Sequence, residues 1–164
     1  MQIKFGTDGW RAIIAQEFTT DNVARVAKAT AGWVKSISDK PSITIGHDCR
    51  FAGPLFTEVT IKVLCNEGVK VYAHKGICST PMISLGCVKL NTTAGVVITA
   101  SHNPQIWNGL KFLNPDGTFL DENQVKEFLK TADEGKFSYA DIKDLKPAKN
   151  DFSWPDRHIE KVLK

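Results

Sequence analysis

The stretch Thr99-Ala100-Ser101-His102-Asn103-Pro104 sets a hydroxyl beside an imidazole and closes on an Asn-Pro pair. It follows Ala94-Gly95-Val96-Val97-Ile98, a nearly continuous apolar run of the kind expected of a strand buried on both faces. In an open α/β sheet, the loop after the carboxyl end of a parallel strand is where ligands sit. A serine there projects from a rigid support, and His102 beside it can bond an anion or move a proton. Asn103-Pro104 forces a turn and fixes the exit of the loop. A plain Asn-Pro turn with an incidental Ser-His pair would have the same spelling, because short motifs match by chance.

Three further segments carry polar groups suited to phosphate chemistry. In Asn108-Gly109-Leu110-Lys111-Phe112, Lys111 alternates with apolar neighbours, so its ammonium leaves the strand on the face opposite to Leu110 and Phe112. If that strand borders the Ser101 loop, Lys111 can reach the same site; a lone strand lysine otherwise faces solvent. Phe5-Gly6-Thr7-Asp8-Gly9-Trp10-Arg11 packs two glycines, a hydroxyl and an arginine into a turn. Such a loop can offer backbone N–H groups and a forked guanidinium to a phosphate. Gly46-His47-Asp48-Cys49-Arg50 places another arginine at a strand's carboxyl end. Taken singly, each of these two also reads as a hairpin turn or a surface ion pair.

Composition narrows the classes. The chain has 164 residues, 42% apolar and 24% charged, which fits one domain with a real core. The formal net charge is +3, spread over scattered lysines with no block of like charge. That argues for a solvated surface rather than a nucleic-acid face, with a weak field favouring anionic substrates. Cys49, Cys65, Cys78 and Cys87 show no Cys-x-x-Cys spacing, and reduced thiols of a cytoplasmic protein are the simplest account. The Met1-Gln2-Ile3-Lys4 start lacks a signal-peptide run, and no apolar stretch approaches the roughly 20 residues of a membrane span.

The elements that must position these groups alternate. Thr20 and Asp21 offer caps for a helix burying Val23, Val26, Ala27, Trp33, Val34 and Ile37. A strand over 42–46 leads to a helix with Pro54 in its first turn, Leu55, Phe56, Val59, Val63 and Leu64 inward, and Gly68 at its end. A strand over 69–72, a helix from Thr80-Pro81 to about Leu90, and strands over 94–98 and 110–113 follow. Asn114-Pro115-Asp116-Gly117 is a tight turn. Asp121 and Gln124 then start a helix using Val125, Phe128, Leu129 and Ala132. The order predicts an α/β domain: a three-layer α/β/α arrangement around a mixed, largely parallel sheet. Residues 1–150 make that domain, and 151–164 begin a helix (Ile159, Val162, Leu163) that stops abruptly at Lys164, as a fragment leading into a second domain would.

In order along the chain, Phe5-Gly6-Thr7-Asp8-Gly9-Trp10-Arg11, Gly46-His47-Asp48-Cys49-Arg50, Thr99-Ala100-Ser101-His102-Asn103-Pro104 and Asn108-Gly109-Leu110-Lys111 resemble the first domain of the α-D-phosphohexomutases. That family includes phosphoglucomutase, phosphomannomutase and phosphoglucosamine mutase, and the resemblance spans essentially the whole chain. It implies that Ser101 carries a phosphoryl group and that Lys111 helps proton transfer at the reacting sugar hydroxyl. It implies that Arg11 and His102 surround the transferring group, with Thr7 shaping the pocket. Ala12 stands where many members have glycine.

The implied reaction interconverts hexose 1-phosphate and hexose 6-phosphate through a bisphosphate, with hexose 1,6-bisphosphate as activator. Mg²⁺ would bind through the serine phosphate, its other ligands coming from an Asp-Gly-Asp-Gly-Asp loop of a second domain; that motif does not occur here. The implied partners are the sugar phosphate and the remaining domains of the same protein. The wording around Arg11 leans toward phosphoglucomutase/phosphomannomutase, with phosphoglucosamine mutase or a non-catalytic sugar-phosphate-binding domain as alternatives. A serine hydrolase fits worse: there is no Gly-x-Ser-x-Gly elbow, and adjacent Ser and His are poorly placed for a triad. The 164-residue chain alone is expected to show no turnover of glucose 1-phosphate in a coupled assay; measurable conversion would refute this.

Overall fold

The computed structural model describes residues 3–6, 9–121, 123–125 and 127–128, and the backbone of 150–152. The apolar run Ala94–Ile98 forms a strand, β4, in which every residue is buried. It is covered on both faces because it lies inside a sheet between helical layers. The other strands are β1 (Trp10–Ile13), β2 (Ser42–His47), β3 (Lys70–Ile77), β5 (Trp107–Leu113) and β6 (Asn150–Phe152). Sheet order is β1-β5-β4-β2-β3-β6. The pairings of β4 with β2, β2 with β3 and β3 with β6 are parallel, whereas β5 runs antiparallel to both β4 and β1. The expected mixed, largely parallel sheet is therefore present.

Side-chain alternation sorts the two faces. Ile43, Ile45, Val71, Ala73, Val96, Ile98, Leu110 and Phe112 share one cluster with helices α1 (Thr20–Ile37) and α2 (Gly53–Asn66). Val97 and Leu113 turn the other way and meet Ile83 and Cys87 of α3 (Thr80–Leu90). On the α3 side the central strands carry little bulk. Thr44 Oγ1 lies 2.9 Å from Cys87 Sγ, and a Cβ on Gly95 would stand 2.4 Å from the same sulfur. Small strand residues thus let the Cys87 face of α3 lie close.

The reciprocal cap expected at Asp121 and Gln124 is formed: Gln124 N–H donates to Asp121 Oδ1, and Asp121 N–H to Gln124 Oε1, each at 2.9 Å. The expected turn closes through Gly117 N–H to Asn114 O at 2.9 Å. Leu129, Ala132 and the helix expected after Trp154 lie outside the described residues.

Several boundaries differ from expectation. The first helix is capped by Thr19, whose Oγ1 accepts from Asn22 N–H at 3.3 Å; Thr20 and Asp21 lie inside it. Leu55 and Ile37, expected inward, are exposed, because each sits at a helix end beyond the packed stripe. The strand expected over 69–72 continues to Ile77. Asp151 and Phe152, expected to begin a helix beyond the domain, instead belong to β6, which falls in sequence without strand-like alternation and adds to the β3 edge through Tyr72, Ala73 and His74. Trp10 and Arg11, expected within a turn, open a strand that runs to Ile13, because β5 pairs it from Trp10↔Leu110 to Ile13↔Trp107.

Gly95→Ala is expected to cost about 1–3 kcal/mol through overpacking against Cys87, read as a lower urea midpoint. Adding Cys87→Ala should recover part of that loss; an unchanged midpoint in the single variant would contradict the packing described.

Candidate active site

Ser101 heads the turn that follows β4. Asn103 N–H bonds the Ala100 carbonyl at 3.1 Å, and between them Ser101 takes a left-handed backbone with φ of 57°. For a serine this conformation costs about 1–3 kcal/mol and persists only where its surroundings over-determine it. Those surroundings are visible. Ala100 behind it is fully buried, and Ser101 N–H donates to Thr99 Oγ1 at 3.0 Å. Ser101 and His102 are themselves exposed.

The loop after β2 supplies the hold. Arg50 Nη2 donates to the carbonyls of Ser101 at 2.7 Å and Asn103 at 2.6 Å. Its Nη1 donates to those of Pro104 at 2.9 Å and Trp107 at 3.0 Å. Asp48 orients the guanidinium, with Oδ2 3.4 Å from Arg50 Nε and Oδ1 accepting Arg50 N–H at 2.9 Å. With the Arg50 side chain only 12% exposed, water screens these charge-assisted bonds weakly. Asp48 in turn is tied to the sheet, its N–H donating to the carbonyl of Ile98 at the end of β4 at 3.1 Å.

Arg11 arrives from the other side. It stands in β1 opposite Gly109, and its Nη1 donates to Asn103 Oδ1 at 2.9 Å. β1 is held down by an aromatic stack: the Trp10 and Phe18 rings are 4.6 Å apart, and Phe18 meets Phe56 of α2 edge-on at 4.7 Å. Asp48, Cys49, Arg50, Phe51, Ser101, Asn103 and Gln105 line a cavity of about 500 Å³. An exposed hydroxyl on its wall, with cationic and amide donors behind, suits a group that carries a phosphoryl ester.

The structure therefore brings Ser101, Asn103 and Arg11 together, with His102 next to them in the turn. Lys111 is not on the cavity wall. It sits in β5 opposite Val97, buried rather than solvent-facing, its ammonium 5.0 Å from the centre of the Phe119 ring. Thr7 lies outside the described residues; the adjoining Gly6 N–H bonds the Gly9 carbonyl at 2.8 Å. In the sequence, Arg50 stands out only as an arginine at a strand end, and Asp48 and Thr99 do not stand out as working residues. One signal was available: a hydroxyl two residues before a turn serine can accept that serine's N–H.

The described residues contain no group of His, Cys, Asp and Glu suited to a metal ion. Among the described residues, Asp48 is the one carboxylate lining the cavity, and its oxygens are engaged by Arg50 and Thr99. The residues present do not by themselves fit a magnesium cage.

Comparison with known proteins decides the lineage. Residues 2–138 match the family described as phosphoglucomutase/phosphomannomutase, alpha/beta/alpha domain I. The chain belongs to this family. A phosphoglucomutase from Staphylococcus haemolyticus is 35% identical over 129 residues, covering 77% of this chain and 24% of the relative. A phosphoglucosamine mutase from Desulforamulus reducens is 37% identical over 128 residues, covering 78% and 29%. A solved structure from Thermus thermophilus, described as a phosphomannomutase, superposes with a TM-score of 0.90 at 28% identity, over 99% of this chain and 36% of that one. This phosphohexomutase domain I thus spans 24% and 29% of the length of the two curated relatives. No helix among its described residues is long and apolar enough to cross a membrane.

The thiols of the domain differ sharply. Cys49 is exposed on the cavity wall, whereas burial pushes the Cys78 thiol up to about 12 and also raises those of Cys87 and Cys65. Because the thiolate is the nucleophile, iodoacetamide at pH 8 is expected to label Cys49 first. Cys78 and Cys87 should react only after denaturation; peptide mapping that finds Cys78 labelled ahead of Cys49 would contradict this burial.

Proposed function

We propose that this domain supplies the phosphoryl-carrying serine of a longer, cytoplasmic phosphohexomutase interconverting hexose 1-phosphate and hexose 6-phosphate. The observation that carries the reading is Ser101: an exposed hydroxyl in a constrained left-handed turn at the carboxyl end of a fully buried strand. In the forward half-reaction the P–O bond to Ser101 Oγ breaks as a hydroxyl oxygen of the sugar monophosphate bonds phosphorus. The hydroxyl proton leaves to a base, and a hexose bisphosphate results. After reorientation, the other phosphoryl group returns to Ser101.

Such transfer asks a protein mainly for positioning and for stabilised oxygens. Arg11 and His102 act on the phosphoryl oxygens in this reading, and Thr7 shapes the same pocket. The family resemblance assigns the hydroxyl proton to Lys111, although its ammonium lies off the cavity wall against Phe119. Support is strongest for Arg11, which shares Asn103 with the Ser101 turn. Bound Mg²⁺ would neutralise phosphoryl charge. Its protein ligands would come from outside the described residues, and this domain would contribute an oxygen on Ser101. The domain runs through β6 to Phe152, with the residues after it leading toward the next, and the isolated chain is inactive because that next domain completes the site.

The hexose is glucose or mannose in this reading. Glucosamine phosphate is the second reading, favoured by the 37%-identical phosphoglucosamine mutase. Incubating the full-length protein with glucose 1,6-bisphosphate is expected to add one phosphoryl group, mapped to Ser101 by mass spectrometry. Ser101→Ala should abolish both that gain and turnover; a phosphoryl group mapped elsewhere, or none, would sink the mechanism. Relative kcat/KM on glucose, mannose and glucosamine 1-phosphates decides the sugar.

A further inference from the structure

The backbone of Ser101 is held at both ends by one closed circuit. Its N–H donates to Thr99 Oγ1 at 3.0 Å, and the Thr99 hydroxyl donates to Asp48 Oδ2 at 2.5 Å. That same carboxylate oxygen lies 3.4 Å from Arg50 Nε, and Arg50 Nη2 returns to the Ser101 carbonyl at 2.7 Å. Thr99 is only 5% exposed, so its hydroxyl bridges the two ends with little competition from water. The described chain has no cis peptide. In a planar trans peptide, turning the Ser101 carbonyl onto the guanidinium directs the His102 N–H to the opposite side, away from Arg50.

The fork of Arg50 is fully used by this arrangement. Nε faces Asp48, and both terminal nitrogens are occupied by two loop carbonyls each. An arginine so engaged lacks a spare edge for a substrate phosphate. We infer that Arg50, with Asp48 and Thr99, is a positioning device that sets the Ser101 hydroxyl for in-line phosphoryl transfer and does not itself bind the transferred group. The inference rests on the reading of Ser101 as the phosphoryl carrier. Displacing a reacting atom by about 1 Å can cost about 100-fold in rate, which makes the backbone of the carrier a sensitive place to intervene. Lysine cannot replace Arg50, because one ammonium lacks the planar fork that spans the carboxylate and four carbonyls.

The test uses the full-length protein as wild type, Arg50→Lys, Thr99→Val and Thr99→Ser. Phosphoryl uptake at Ser101 from glucose 1,6-bisphosphate is quantified by mass, and kcat and KM are measured on the hexose monophosphate. The folded fraction is fixed by circular dichroism. Expected are wild-type uptake at Ser101, a kcat about 100-fold lower in Arg50→Lys and about tenfold lower in Thr99→Val, and KM unchanged. Thr99→Ser, which keeps the hydroxyl, should recover most of the loss seen with valine. If Arg50→Lys does not fold, the Thr99 pair decides alone, valine keeping the shape without the hydroxyl and serine keeping the hydroxyl.

Variants that only melt earlier, with wild-type kcat per folded molecule, would overturn the inference and leave Ser101 as the carrier. So would a raised KM at unchanged kcat, which would make Arg50 a substrate ligand. Absence of the phosphoryl group on wild-type Ser101 would overturn the carrier reading and this inference together, a failure visible before any variant is measured.

Discussion

Four carbonyl oxygens, those of Ser101, Asn103, Pro104 and Trp107, converge on one guanidinium. Grouped carbonyl dipoles repel one another, and turned inward without a donor they would be costly to desolvate. Arg50 supplies the donors, and Asp48 supplies the counter-charge that lets Arg50 lie nearly buried. The order of the strands makes this possible. β2 and β4 are parallel neighbours, so the loops after His47 and Ile98 emerge side by side at one edge of the sheet. The Ser101 turn is thus a property of two loops held in register by the sheet.

The remaining elements serve that register. β4 is buried throughout because α1 and α2 cover one face of the sheet and α3 the other. The α3 layer approaches closely where Gly95 and Thr44 leave room for Cys87. On the far side, β5 is antiparallel to β4 and brings β1 alongside, which delivers Arg11 to Asn103. The Trp10, Phe18 and Phe56 rings join this edge to α2, so both arginines are anchored through the same apolar core.

Local pattern determined much of this protein. The alternation of strand and helix, the buried run of β4, the cap at Asp121 and Gln124 and the turn closing at Gly117 all follow from spacing within a few residues. The ordered motifs around Arg11, Arg50, Ser101 and Lys111 were likewise readable by type and position, and they pointed to the family that the comparisons show.

Tertiary structure alone decided what the side chains touch. Arg50 and Trp107 are 57 positions apart, and no periodicity in either segment says that the guanidinium turns inward to bond carbonyls. Trp10–Ile13 is a strand because β5 pairs with it, and β6 is one because β3 offers an unpaired edge. Lys111 alternates with apolar residues as a solvent-facing lysine would, yet it is buried beneath Phe119. Local pattern reports which face of an element is apolar, through side-chain spacing. Which distant segment covers the other face, and which polar groups meet there, depends on strand order and crossover direction, quantities that belong to the assembled sheet.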